Sequence, residues 1–177
     1  LLEVLHHDYS TFTHSANVCF MSVMLAKELG INDANDLREI AIGALLHDLG
    51  KLEVPIQILT KPGRLTEHEY DVVQDHARWG YEKLCERDDI SFSQLMMVYQ
   101  HHERVAGGGY PVGCPRSEIH DWASLCSIVD VFEALTSQRP YRSPLSRMDA
   151  LDVMNRGRGV SFDEEMLKCW NMAMTGK

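Results

Sequence analysis

The chain has 177 residues, with 17 Lys and Arg against 26 Asp and Glu and a formal net charge of −9. That length fits one domain able to bury a core without disulfide staples, and that charge excludes the electrostatic footprint of a protein gripping duplex nucleic acid or an anionic membrane. The five cysteines, Cys19, Cys85, Cys114, Cys126 and Cys169, are odd in number and scattered singly, so they read as reduced, core-filling thiols in a cytoplasmic setting. No stretch approaches the ~20 apolar residues of a membrane span, and no basic-then-apolar leader opens the chain, so a soluble domain without membrane contact is expected. Leu1-Leu2-Glu3-Val4 is already in apolar rhythm with no methionine, which predicts a single domain, residues 1–177, from the C-terminal part of a longer protein.

The pattern predicts helices nearly throughout. A first helix runs from about Thr11 to Leu29 and stops at Gly30. A second carries Leu37, Ile40, Ala41, Ala44 and Leu45 on one stripe, and continuing that stripe lands on Asp48, pointing it inward. A third opens with the capping box Thr66-Glu67-His68-Glu69 and aligns Tyr70, Val73, His76 and Ala77. A fourth starts at Ser91 with Gln94 and stripes Leu95, Val98, Tyr99 and His102. A fifth spans roughly Glu118 to Ser137, with Trp122, Leu125, Val129 and Phe132 facing the core and Asp130 on a neighbouring face of small residues. Ser143-Pro144 opens a sixth, and Ser161-Phe162-Asp163-Glu164 caps a last one. The fold class is therefore all-α, a compact array of about seven helices.

Nine histidines are many for this length. His6, His7, His68 and His120 fall on polar stretches and read as surface. His14, His47, His76, His101 and His102, with Asp48 and Asp130, instead share the inner stripes of separate helices, where an unpaired imidazole or carboxylate is costly. A metal centre relieves that cost. Imidazole and carboxylate without thiolate suit iron, manganese, zinc or nickel, and seven donors are too many for one tetrahedral zinc but enough for two octahedral ions with open positions. Asp48, with two oxygens, could bridge them, and two such ions lower the pKa of water toward neutrality, the usual means of cleaving a phosphate ester.

Fixed positive charges surround these donors. Lys51 follows Asp48 by three residues, a place where the helix dipole alone favours a lysine. Arg139 and Arg142 lie in a proline-stiffened loop past the Asp130 helix; they fit either a solvated turn or a phosphate grip. Gly107-Gly108-Gly109-Tyr110-Pro111 is either a flexible connection or a place where backbone comes close to a ligand beside the face of Tyr110.

His47-Asp48-Leu49-Gly50-Lys51, then His101-His102-Glu103-Arg104 with Gly107-Gly108-Gly109-Tyr110-Pro111, then Asp130 through Arg142 together resemble an HD-GYP domain, the branch of the HD phosphohydrolases that degrades cyclic dinucleotides. The resemblance covers about His14 to the end. It implies that His14, His47, Asp48 and Asp130 hold one metal and that Asp48, His76, His101 and His102 hold the second, with iron or manganese as the ions. It implies that Lys51 and Asp48 serve catalysis, that Arg139 and Arg142 grip the phosphate not being cut, and that Tyr110, Gly109 and Pro111 line the substrate pocket. As partners it implies a cyclic dinucleotide, an upstream receiver or sensor domain, and room for a second copy in a homodimer.

Three positions depart from the family pattern. Ala106 stands where an aspartate usually precedes the glycine run, so the loop is expected to lose order. Ser10 stands where some members carry a glutamate for a third metal, which keeps the expected count at two. Glu133 replaces the second aspartate of Asp-x-x-Asp, moving its charge outward by one methylene. The reading is a metal-dependent phosphodiesterase that converts cyclic di-GMP or cyclic GMP-AMP to a linear 5′-phosphorylated dinucleotide. The alternatives are a non-catalytic cyclic dinucleotide sensor, with Ala106 as its first sign, and a nucleotidase acting on mononucleotides.

Overall fold

The computed structural model describes residues 2–138 and 143–176, with side chains in the first helix described from Phe12 onward. Its described residues form nine α-helices and two 3₁₀ turns, with no strand. The all-α expectation holds. Two more helices appear than the seven expected, for local reasons: a single turn, α3 (Ile56–Leu59), follows Pro55, and the third expected helix breaks at Asp75 into α4 (Glu67–Gln74) and α5 (His76–Leu84).

The first helix, α1 (Leu2–Glu28), starts earlier than Thr11 because nothing before Thr11 breaks its rhythm. It ends as expected: Gly30 takes φ +86°, while Ile31 N–H reaches the Ala26 carbonyl and Gly30 N–H the Lys27 carbonyl, a Schellman closure. In α2 (Ala34–Leu46), capped by Asp33, the buried stripe is Ile40, Gly43 and Ala44. Leu45, assigned to that stripe, is instead exposed, because Gly43 rather than Leu45 packs on Met97 of α6 (Phe92–Gln100). Both predicted capping boxes form, Thr66 with Glu69 and Ser91 with Gln94. The inward face of α6 is Gln94, Met97, Val98 and His101; of the expected stripe Val98 is buried, whereas Leu95, Tyr99 and His102 are only partly buried.

The central element is α7 (Asp121–Thr136), buried on nearly every side from Ala123 to Asp130. One face meets the core, where Phe132 lies edge-on to Trp170 with ring centroids 5.1 Å apart. His120 is no mere surface residue: it caps α7 by accepting from Trp122 N–H. Ser143-Pro144 does not open a helix; Leu145 N–H is held by the Leu135 carbonyl, and α8 (Arg147–Asn155) starts after the Ser146 cap. Likewise α9 (Glu164–Thr175) is capped by Asp163, not Ser161. All five cysteines are free thiols, and Cys85 is exposed, so it fills no core. Among the described residues no helix is long and apolar enough to cross a membrane.

α1 packs along α2 and α7, α2 and α7 pack on α6, and α5 lies against α6 and the 3₁₀ turn Leu49–Glu53. Gly50 of that turn sits where a Cβ would lie 1.9 Å from the His76 carbonyl oxygen and 2.6 Å from the Gly80 nitrogen. Only glycine allows this backbone-on-backbone approach, which brings the end of α2 against the start of α5.

Candidate metal centre

Helix ends converge on one buried point. His47 caps the C-terminus of α2, and Asp48 follows at φ −98°, ψ 8°, in the sparsely populated bridge region frequent among active-site residues. His76 opens α5, just past the end of α4, and His101 caps the C-terminus of α6. The last carbonyls of a helix have no intrahelical partner. Here they hold imidazoles: His47 Nδ1 is 2.7 Å from the Ala44 carbonyl, His76 Nδ1 2.6 Å from that of Val73, and His101 Nδ1 3.1 and 3.0 Å from those of Met97 and Val98. A carbonyl only accepts, so each Nδ1 carries the proton and each Nε2 presents a lone pair inward. The break at Asp75 has a purpose in this light, since it brings the Val73 carbonyl within reach of the His76 ring.

His14 is in the middle of α1, where carbonyls are used by the helix itself. Its Nδ1 is held instead by a carboxylate oxygen of Glu133, 2.5 Å away on α7. Its Nε2 lies 3.1 Å from Asp130 Oδ1 and 3.5 Å from Asp48 Oδ2.

Asp48 stands between two groups of nitrogens. Its Oδ2 faces His14 and His47 Nε2, the latter at 3.4 Å, while its Oδ1 faces His76 Nε2 at 3.3 Å and His101 Nε2 at 3.9 Å. The donor atoms of Asp48, His76, His101 and His102 all lie within 4.8 Å of one another, and so do those of His14, His47 and Asp48. Asp130 joins the second group, its Oδ1 3.9 Å from His47 Nε2. All seven residues proposed as ligands are thus brought together.

The donor set fits a cation. His47 Nε2 and Asp48 Oδ1 are buried without a hydrogen-bond partner among the described residues. His76 and His101 point Nε2 at Nε2 across 3.3 Å. With both Nδ1 protons committed to carbonyls, these are two facing lone pairs, an arrangement that a positive ion between or beside them would satisfy.

The charges agree. Burial, with His102 and His47 next to it, pushes His101 well below the ordinary imidazole value; burial also lowers His76 and brings His102 down to about 3, so these rings are neutral donors. Burial opposes ionisation of Asp48 and Asp130, yet Lys51 and His47 hold the first, and His14, His47 and His102 the second, well below the carboxylate range. Burial would lower His14 too, but Asp130, Asp48 and Glu133 raise it to about 10, so in the metal-free centre a proton sits where a cation would.

Lys51 Nζ is 2.5 Å from Asp48 Oδ2 with its side chain 29% exposed, so it belongs to the centre and not simply to a helix end. Tyr110 rests on His102, ring centroids 4.6 Å apart and planes tilted by 32°, and burial raises its phenol pKa. Gly109 does come close to backbone, but to the chain's own: a Cβ there would lie 2.5 Å from Arg104 N and 2.6 Å from the His102 carbonyl. Pro111 follows, half-buried. Arg139 and Arg142 lie outside the described residues, as does the side chain of Ser10.

Two carboxylates carry more than their sequence positions announced. Glu133 was readable only as an altered contact, yet it anchors His14. Glu103, buried directly after the two histidines, accepts from the N–H groups of Val112 at 2.8 Å and Gly113 at 3.0 Å and so ties down the glycine loop. Glu103 is thus an anchor of the loop three residues before Ala106, while Ala106 itself is exposed with its N–H on the Val160 carbonyl. A charge kept in the core beside two ligands was the available signal.

A family model described as HD domain matches residues 4–166. A cyclic di-GMP phosphodiesterase of Pseudomonas aeruginosa is 34% identical over 174 residues, covering 98% of this chain and 42% of the relative. A 3′3′-cGAMP-specific phosphodiesterase of Vibrio cholerae is 38% identical over 147 residues, covering 81% of this chain and 33% of the relative. Among solved structures, an HDG"Y"P protein from Bdellovibrio bacteriovorus superposes with a TM-score of 0.75 at 22% identity, covering 91% of this chain and 51% of that one, which supports the fold. The chain spans less than half the length of these curated relatives. With its motif residues gathered at one buried centre, the chain belongs to the HD domain family, in the HD-GYP branch.

Proposed function

We propose that the chain is a metal-dependent phosphodiesterase that hydrolyses a cyclic dinucleotide, cyclic di-GMP or cyclic GMP-AMP, to a linear 5′-phosphorylated dinucleotide. The observation that carries this reading is Asp48, whose two oxygens face two separate groups of buried nitrogens. His14, His47, Asp48 and Asp130 would hold one ion, and Asp48, His76, His101 and His102 the other, with iron or manganese suited to an all-imidazole and carboxylate set. When bound, two such ions supply Lewis acidity toward phosphate oxygens and make water a nucleophile near neutral pH.

The chain's own residues do the rest. The carbonyl-held rings fix the donors before substrate arrives, so little reorganisation is needed at reaction. Lys51, partly exposed on Asp48, is placed to turn its ammonium toward charge developing on a scissile phosphate. Tyr110, with Gly109 and Pro111, would line the pocket on the His102 side, and Arg139 and Arg142 would grip the other phosphate through their planar forks. A non-catalytic cyclic dinucleotide sensor, with Ala106 as its first sign, is the second reading; the complete donor set with Lys51 beside Asp48 favours the enzyme. By the same resemblance the chain is a single cytoplasmic domain following an upstream receiver or sensor domain, open to pairing as a homodimer.

The experiment is to load the protein with Mn(II) or Fe(II), incubate it with cyclic di-GMP, cyclic GMP-AMP and cyclic di-AMP, and separate the products. A linear dinucleotide from either of the first two is expected. Retention of all three substrates intact by a fully metal-loaded protein would contradict the enzyme reading.

A further inference from the structure

The centre's histidines are not all held alike. Three rings are oriented by carbonyls of their own or the adjoining helix end, three or four residues away. His14 depends on a residue 119 positions distant, on another helix. That residue, Glu133, is itself fixed at both ends of a small clamp: Asn17 Nδ2, one turn along α1 from His14, donates to its Oε1 at 3.0 Å, and Ser137 Oγ, one turn along α7, donates to the same oxygen at 2.5 Å. The Glu133 side chain is 2% exposed, so its charge is little screened by solvent. The ring that it holds, His14, belongs to the group with His47 and Asp48 and not to the group of His76, His101 and His102.

We propose that Glu133 is a positioning residue for one half of the centre: by holding His14 Nδ1 it sets how tightly the ion of the His14, His47, Asp48 and Asp130 group is retained, and leaves the other ion untouched. The proposal rests on the two-ion reading above. A carboxylate behind a ligating imidazole fixes its ring and raises its basicity, and losing such a partner typically costs 10–100-fold in metal affinity.

The test is Mn(II) titration of the metal-free chain, following free Mn(II) by its resonance signal, for wild type, Glu133→Gln, Glu133→Asp and Asn17→Ala. Wild type should take up two ions. Glu133→Gln keeps the shape and removes the charge, so one of the two steps should weaken 10–100-fold and the other stay in place. Glu133→Asp should retain more of that step than Glu133→Gln, and Asn17→Ala should weaken the same step by a smaller factor, which keeps the proposal testable if the glutamine variant folds poorly. Unchanged steps in Glu133→Gln, equal weakening of both steps, or Glu133→Asp falling as far as Glu133→Gln would overturn it. Fewer than two ions on wild type would overturn the two-ion reading and this proposal with it, an outcome visible before any variant is compared.

Discussion

His47, His76 and His101 sit at helix ends, and His14 sits in mid-helix; the two settings hold an imidazole by different means. At a helix end the spare carbonyls orient the ring, and they carry the negative end of the helix dipole, which favours a nearby cation. In mid-helix no carbonyl is spare, so the ring needs an acceptor from elsewhere in the fold. The half with His76 and His101 therefore has its rings oriented by local carbonyls, whereas the half with His14, although its His47 is also carbonyl-held, is completed only when α1 docks on α7. The difference extends to charge: neutral imidazoles crowd the first half, while Asp130 and Glu133 gather around His14.

The most damaging way to break the helix-end half is through Gly50. In Gly50→Ala the new Cβ would meet the His76 carbonyl, so either the turn or α5 must move. A loss of about 3 kcal/mol in denaturant unfolding is expected, at the upper end for overpacking, together with weakened metal uptake. A stability change within experimental error would mean that the two backbones need not touch.

Acid and base should separate the two settings next, in metal-free protein. His102 is lowered to about 3 in the fold, and His76 and His101 are lowered too, so below the unfolded value of about 6.5 the unfolded chain binds protons that the folded one refuses. Stability should fall as pH drops below that point. His14 is raised to about 10, so its contribution is complete below about pH 6.5 and is lost as pH rises toward 10. Thermal unfolding in chelator should therefore weaken on both sides of an intermediate optimum, and His14→Gln should remove the alkaline decline alone. A curve flat from pH 5 to 6.5 would contradict the neutral-imidazole half.

A smaller effect is expected in front of the centre. Glu103→Gln leaves the loop's N–H groups on a neutral acceptor and should cost roughly 1–3 kcal/mol of loop anchoring, read as a raised KM with kcat and metal content little changed. Ala106→Asp, at an exposed position, should alter stability by less than about 0.5 kcal/mol and leave KM near that of the parent. A large gain from Ala106→Asp would restore the view that residue 106 orders this loop.

Much of this was legible from the chain. Capping boxes at Thr66 and Ser91 act within four residues, so their chemistry is written locally, and the donors announce themselves because His–Asp and His–His pairs end apolar runs. What was not legible depends on distance or on backbone. The stripe of α2 was misjudged at Leu45 because the contact with Met97 is made by Gly43, a residue with no side chain to signal burial. The break at Asp75 is not marked by proline or glycine; its effect appears only in where the Val73 carbonyl points. Glu133 looked displaced because the position of His14, far away in sequence, decides whether an extra methylene is a defect or a reach.

The central claim is that Asp48 is shared by two ions, and the direct measurement is metal content per chain in wild type and Asp48→Asn, purified without chelator and then saturated with Mn(II). The account predicts about two ions on wild type and a loss from both halves in Asp48→Asn, because each half keeps its imidazoles but loses the common anion. One ion on saturated wild type, or Asp48→Asn retaining both, would contradict it.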